Sequence, residues 1–231
     1  AISNVLTPRV HRLVAENAPM RALNALFTKV GRLQFILLGC IFFGFVAIGK
    51  PFLILWGGAE QFGVDYAVTL VLFFTTMWTN IQTVGIEIQR AKNMHKFRSL
   101  TYLGVTVANI AISLPLCMRF EGMGIAIGTA ITTFAGNLVL MNWYYYRRIG
   151  LNIPKFWRHI SRLFPSMILP AIVSVLLAVF VHPTSYWGMI LPGCCIVAVY
   201  GISVWLFGLN RYERELVLNP LRRILGRFVR R

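Results

Sequence analysis

Six long apolar runs, separated by short loops, constrain this chain more than any other feature of its sequence. The runs occupy residues 33–56, 64–86, 99–118, 122–146, 163–181 and 187–207. Each is close to the ~20 residues that an α-helix needs to cross ~30 Å of hydrocarbon. Because a segment in lipid has to pair its own backbone polar groups, these runs are predicted to be helices. The sequence therefore predicts an all-α integral membrane protein with six transmembrane helices.

Lysine and arginine are confined almost entirely to alternate loops. Five precede the first run, four lie between the second and third runs, five between the fourth and fifth, and seven follow the sixth. Only Lys50 and Arg119 lie elsewhere. Cytoplasmic loops carry the excess of Lys and Arg in multi-pass proteins. We therefore expect an even number of crossings, with both termini of the chain in the cytoplasm.

The formal net charge of +16 is also typical of proteins that bind nucleic acid. Here, however, the basic residues lie where loops meet the membrane, and no segment outside the helices could fold into a nucleic-acid-binding module. Juxtamembrane Lys and Arg attract anionic headgroups with ~1 kcal/mol each. We therefore expect the bilayer, with its anionic inner-leaflet lipids, to be the partner, and no nucleic acid.

The sequence divides into three parts. Residues 1–32 read as the end of a truncated transmembrane helix and a basic cytoplasmic segment, in which Asn17 is a good N-cap for a helix beginning near Pro19. Residues 33–207 form the transmembrane domain, and residues 208–231 a basic tail. Apolar and basic residues recur at helical spacing in the tail, which predicts an interfacial helix; a disordered basic tail is the alternative. The stripe consists of Val217, Leu221, Ile224, Leu225 and Phe228, beside Arg222, Arg223, Arg227 and Arg230.

The sequence offers little for catalysis or metal binding. The four cysteines, Cys40, Cys117, Cys194 and Cys195, fall inside apolar runs and lack metal-ligand spacing. No paired carboxylates, Ser/His/Asp set or Gly-rich phosphate loop is apparent. We therefore expect a protein that is not an enzyme and that needs neither a metal nor another cofactor.

Small residues open the fourth apolar run. Gly124, Gly128 and Thr132 are spaced four apart, so they share one helix face and let a neighbouring helix approach closely. We interpret this face as a helix-packing surface. A role in sliding or bending during transport is compatible with that interpretation.

Three charged residues near the apolar runs are candidates for a role in transport. Lys50 precedes Pro51 near the outer end of the first run, where it either snorkels to the interface or faces a water-filled cavity. Glu87 and Arg90 are spaced to pair at the inner end of the second run. They form either a plain interfacial ion pair or, through Glu87, a gate or proton relay.

The order of several landmarks is similar to the C-terminal half of polysaccharide flippases of the multidrug/oligosaccharidyl-lipid/polysaccharide exporter superfamily. The resemblance covers residues 1–162 well and the last two runs by hydropathy alone. The landmarks are Thr7-Pro8, Pro51-Phe-Leu-Ile-Leu-Trp56-Gly57-Gly58, Gln89-Arg90-Ala91-Lys92-Asn93 with Lys96, Asn109-Ile-Ala-Ile, Gly122-Met-Gly124-Ile-Ala126-Ile-Gly128-Thr129 and Tyr144-Tyr-Tyr-Arg147-Arg148.

The resemblance implies the C-terminal part of a two-lobe transporter with twelve to fourteen helices in the bacterial plasma (inner) membrane. Such a protein moves a polyprenyl-phosphate-linked oligosaccharide from the inner to the outer leaflet by alternating access. Besides the bilayer and the lipid-linked oligosaccharide, the resemblance implies a missing N-terminal lobe as a partner. Lys50, Arg90 and Arg119 would then be the residues that neutralise the phosphate of the lipid-linked oligosaccharide.

Two other functions stay open at this point. A multidrug or cation antiporter of the same superfamily usually requires a carboxylate deep in the lobe, and no run has one at mid-depth. A non-transporting scaffold for polysaccharide assembly would use the basic inner face to recruit enzymes.

Overall fold

The apolar runs form helices in the computed structural model, which describes residues 2–63, 65–216 and 218. A 3-10 turn, Glu60–Gly63, follows the second helix. Three other helices are continued by π-helical segments, Phe134–Leu140, Tyr145–Ile149 and Val204–Gly208. None of the described residues forms a strand, so the predicted all-α class is confirmed. The α-helices are α1 (Ile2–Ala15), α2 (Met20–Gly57), α3 (Asp65–Asn80), α4 (Thr83–Ala91), α5 (Lys96–Thr133), α6 (Met141–Tyr144), α7 (Ile153–Ser161), α8 (Phe164–Phe180) and α9 (Tyr186–Ser203).

Three to five helical units are long and apolar enough to cross a membrane. Three qualify alone: α2, the continuous helical stretch Lys96–Ile149, and Tyr186–Gly208. Two further units qualify as bent pairs, α3 with α4 at 43° and α7 with α8 at 46°. This pattern is that of a membrane-embedded, multi-pass protein.

The stretch Lys96–Ile149 is not one straight rod, because the chain reverses direction at Glu121. The backbone of Glu121 has φ 49° and ψ −131°, outside the helical region. On either side of it the two arms run antiparallel and share hydrogen bonds. Asn109 donates to Thr132 over 3.1 Å, and Tyr102 donates to Asn137 over 2.9 Å. We call this unit, residues 96–149, the α-hairpin.

Helix α2 is central and packs against α3, α8 and α9. The buried core is concentrated towards the N-terminal part of α2, where the rings of Phe27 and Phe156 stack with centroids 4.3 Å apart. Ile81 and Tyr145 are also almost fully buried there. The α-hairpin instead exposes a row of apolar side chains. Such a surface is stable when lipid or another protein covers it.

One predicted detail has a different outcome. Asn17 does not cap α2, whose N-cap is Pro19 without a side-chain hydrogen bond. Asn17 instead adopts φ 49° just after α1, a conformation that Asn tolerates better than most residues. Helix α2 runs through Pro51 to Gly57. The predicted interfacial stripe of the tail lies outside the described residues.

Candidate functional site

The four basic segments of the sequence meet at one end of the helix bundle. The guanidinium of Arg32, before the first apolar run, donates to the carbonyl of His159 over 2.6 Å. The ammonium of Lys92, in the second basic loop, donates to the carbonyl of Ile149 over 3.2 Å. The tail joins them through Glu213, which forms an ion pair with Arg32. We call this region the basic end.

The remaining loops meet at the opposite end. Tyr66 donates to the Val46 carbonyl over 2.7 Å, and Tyr186 donates to the Leu55 carbonyl over 3.0 Å. The two cations outside the basic segments belong to this end. The Lys50 stem lies close to Gly63, and Arg119 lies just before the chain reversal at Glu121, where Gly122 faces Val68 near the start of α3. The asymmetry of charge seen in the sequence is therefore an asymmetry between the two ends of the fold.

A buried ion pair holds the basic end together. Arg32 donates from Nε to Glu213 Oε1 over 2.7 Å and from Nη2 to Glu213 Oε2 over 2.9 Å. The side chains of Arg32 and Glu213 are only 3% and 4% exposed. Nη2 also donates to the Gly208 carbonyl over 2.8 Å. This planar, bidentate arrangement satisfies most of the guanidinium donors and links α2, α7 and the segment after α9.

A cavity of about 550 Å³ opens beside this ion pair. Its size falls within the range of small-molecule sites, roughly 300–1,000 Å³. The walls come from α2, from α7 and the loop before it, and from the segment after α9, and they are rich in cations and amides. The cavity is lined by Arg21, Asn24, Ala25, Thr28, Lys29, Arg32, Asn152, Lys155, His159, Asn210, Tyr212 and Glu213.

Three of the cavity cations have no carboxylate partner among the described residues. The ammonium of Lys29 lies 4.1 Å from the ring centroid of Tyr212, a cation–π contact that leaves its charge uncompensated. The side chains of Arg21 and Lys155 are exposed and form no hydrogen bond with any described residue. Lys155 is held in place by its backbone amide, which donates to the side chain of Asn152, the N-cap of α7.

The acidic residues of the chain are too few to neutralise this cavity. All seven lie among the described residues, and Glu213 alone lines the cavity. Glu16 pairs with Arg12, and Glu87 pairs with Arg90. The described lining of the cavity therefore carries four permanent cations and one carboxylate.

A second, smaller cavity is apolar. It has a volume of about 160 Å³ and lies between α2, α3 and α8, lined largely by aromatic rings and two methionines. The indole Nε1 of Trp78, one of the lining residues, is buried without a partner among the described residues. This cavity has no charged lining residue, so it does not share the chemistry of the basic cavity.

The transport candidates predicted from sequence lie apart from the basic cavity. Glu87 and Arg90 form an ion pair of 3.0 Å, with the Arg90 side chain 63% exposed. Lys50 is exposed, and its stem lies close to Gly63 in the 3-10 turn at the opposite end. Arg119 is exposed two residues before the chain reversal. The structure therefore does not bring Lys50, Arg90 and Arg119 into one site.

The small-residue face lies inside the α-hairpin. A Cβ atom at Gly124 would overlap the carbonyl of Leu116, and one at Gly128 would overlap the side chain of Ser113. Thr132 is buried and accepts the hydrogen bond from Asn109. The helix that packs closely against these small residues is the other arm of the same hairpin.

Sequence reasoning missed Arg32, Glu213 and the cavity beside them. Arg32 was counted among the cations of the first basic segment, where nothing local distinguishes it from Arg21. A signal was present in Glu213, an acidic residue between Arg211 and Arg214 in a strongly basic tail. Its partner could not be named, because 181 residues separate the pair.

Comparison with known proteins identifies no relative: no family model, no curated protein and no solved structure matches this chain.

Proposed function

We propose that this chain forms a six-crossing lobe of a bacterial inner-membrane flippase, which moves a polyprenyl-phosphate-linked oligosaccharide from the inner to the outer leaflet. The observation that carries the proposal is the basic cavity, with four permanent cations around one carboxylate. A flippase has to collect an anionic headgroup at the inner leaflet, and a cationic cavity at that level provides the attraction.

The α-hairpin supports the count of six crossings. Each of its arms exceeds the ~20 residues required to span the hydrocarbon, so the reversal at Glu121 makes two crossings out of one helical stretch. Together with α2, Tyr186–Gly208 and the two bent pairs, this gives six. An even number leaves both termini of the chain on one side, and the excess of Lys and Arg places the basic end in the cytoplasm.

The two bent units are also in keeping with a transporter. Interrupted helices are common where a substrate path crosses the membrane, since the break frees backbone groups to line a cavity. In this chain α3 and α4 meet at 43°, next to Gln82, whose side-chain nitrogen is buried without a partner among the described residues.

In the proposed mechanism the phosphate enters at the basic end and the sugar moves through a hydrated cavity between this lobe and a second one. The lipid tail stays in the bilayer throughout. Glu87 and Arg90 act as a gate at the basic end, and Lys50 and Arg119 attract the phosphate towards the opposite end. An inside-negative potential of 100 mV favours outward movement of two negative charges by about 4.6 kcal/mol. The potential alone can therefore drive turnover.

The test is reconstitution of the protein, with any flanking residues that its gene encodes, in vesicles containing a fluorescent lipid-linked oligosaccharide. We expect translocation to the outer leaflet that accelerates as the inside-negative potential is raised. A translocation rate that depends neither on the potential nor on ion gradients would contradict the proposal that the potential drives turnover. Accumulation of organic cations without lipid translocation would instead identify an antiporter. If the protein shows neither activity, the non-transporting scaffold is favoured.

A further inference from the structure

We infer that the basic cavity is a binding site for a phosphate or diphosphate group, with Arg21, Lys29 and Lys155 as its direct ligands. This inference deepens the proposed function. It depends on the proposed function in one respect, the side of the membrane that the cavity faces. The group is carried either by an inner-leaflet lipid or by a soluble phosphate compound.

The charge balance of the cavity favours a multiply charged anion. Arg32 is already neutralised by Glu213, which leaves Arg21, Lys29 and Lys155 as three uncompensated cations around one space. Like charges that share a site repel one another, and a single carboxylate would offset only part of that repulsion. A phosphate or diphosphate carries more charge on more acceptor oxygens and is the better match.

The exposure of the three side chains also fits a binding role. Arg21, Lys29 and Lys155 are exposed and make no hydrogen bond from their side chains to a described residue. Arg21 and Lys155 are therefore free to turn towards an entering anion, and Lys29 can do so by leaving the ring of Tyr212. Their backbones, in contrast, are fixed on the helices α2 and α7. These helices are held together by the hydrogen bond from Arg32 to the His159 carbonyl and by the stacked rings of Phe27 and Phe156.

Two neutral polar residues border the site. Asn24 and Thr28 lie on the same face of α2 as Arg21, being three or four residues apart along the helix, and both line the cavity. The side-chain oxygen of Asn24 accepts from the backbone amide of Asn152 over 2.7 Å, and this contact fixes the loop before α7. Arg32 and Asn24 are thus positioning residues, and the three free cations are ligands.

The experiment uses the full chain in nanodiscs of phosphatidylcholine, a lipid without net charge. One arm titrates inorganic pyrophosphate by calorimetry, and the other adds a polyprenyl diphosphate to the bilayer and measures its retention by native mass spectrometry. The test variant is Arg21→Gln/Lys155→Gln. The control is Lys96→Gln/Arg147→Gln, which removes one Lys and one Arg from exposed positions of the same end outside the cavity.

We expect the cavity variant to weaken binding roughly 10- to 30-fold, since each surface cation contributes about 1 kcal/mol towards an anion. The control should change binding much less. Binding of pyrophosphate alone would assign the site to a soluble phosphate, and retention of the lipid alone would assign it to a lipid headgroup. The inference would be overturned if the protein bound neither pyrophosphate nor the polyprenyl diphosphate, or if the control variant lost as much binding as the cavity variant.

These outcomes are separable from those of the translocation test. Binding that depends on the cavity, in a protein that translocates nothing, would keep the phosphate site and reject the flippase. Translocation with unchanged binding in Arg21→Gln/Lys155→Gln would keep the flippase and reject the site.

Discussion

Arg32 and Glu213 are 181 residues apart in the sequence and form a bidentate ion pair at which both side chains are almost completely buried. The pair joins the start of the central helix α2 to the segment that follows the last helix. It thereby closes the bundle at the basic end, on the wall of the cavity that we propose as the binding site.

Removing one partner of this pair should destabilise the protein strongly. Glu213→Ala leaves the Arg32 charge buried without a carboxylate, which typically costs about 3–5 kcal/mol. The double variant Arg32→Met/Glu213→Ala should lose less stability than the two single variants together, because it leaves no uncompensated charge. Thermal or denaturant unfolding in detergent measures both effects.

The control for the ion pair is Arg12→Gln. It breaks the pair between Arg12 and Glu16, whose side chains are 78% and 55% exposed. Because water screens such a pair, the expected change is within about 0.5 kcal/mol. Equal effects of Arg12→Gln and Glu213→Ala would contradict the structural role given to the buried pair.

The α-hairpin should lose stability when a methyl group is added at the close contact between its two arms. In Gly124→Ala the new methyl group would overlap the Leu116 carbonyl, so the two arms have to separate. We expect a loss of about 1–3 kcal/mol, as is usual for overpacking. Gly104→Ala is the matched control on the same hairpin, since nothing lies within 4 Å of a Cβ at Gly104. A Gly104→Ala variant as unstable as Gly124→Ala would show that the arms do not pack as described.

Lys50 provides a test of the cations outside the basic end. Lys50→Gln should slow translocation of a lipid-linked oligosaccharide, while Lys50→Arg keeps the charge and should retain most of the rate. Both variants should unfold like the unmodified protein, because Lys50 is exposed and makes no hydrogen bond to a described residue. Equal rates for the Gln and Arg variants would remove Lys50 from the substrate path.

The polar contacts across the α-hairpin should contribute modestly. Asn109 donates to Thr129 and Thr132, and accepts from Ser113 within its own arm. Interhelical hydrogen bonds in membrane proteins average about 0.6 kcal/mol. We therefore expect Asn109→Leu to cost roughly 1 kcal/mol in unfolding measurements. A loss as large as that of Glu213→Ala would mean that this network, and not the buried ion pair, dominates the stability.

The helical architecture could be predicted from the sequence because it depends on local properties. Runs of about 20 apolar residues have few alternatives to a helix in lipid, and charged residues are concentrated in the loops. The turn between the two arms of the α-hairpin is marked by Arg119 and Glu121, which interrupt the apolar pattern. The bend between α3 and α4 was missed, because Ile81 and Gln82 include neither Gly nor Pro.

The basic cavity could not be predicted, because it is made by segments that are far apart in the chain. Arg21 and Lys155 look like ordinary juxtamembrane cations until the fold brings α2 and α7 together. Asn17 illustrates the same limit on a smaller scale. Asn is favoured both as an N-cap and in the left-handed conformation after a helix, and the sequence alone did not distinguish the two.

The membrane topology can be measured directly by labelling single cysteines from one side of intact cells. Cys40, Cys117, Cys194 and Cys195 are first replaced by alanine, and cysteines are then placed at loop positions of both ends. A membrane-impermeant thiol reagent should label Ala59→Cys, Phe120→Cys and Thr184→Cys from outside. Asn93→Cys, Arg148→Cys and Arg211→Cys should react only after permeabilisation. Labelling of positions 148 and 211 from opposite sides of the membrane would contradict the six-crossing lobe on which the proposed function depends.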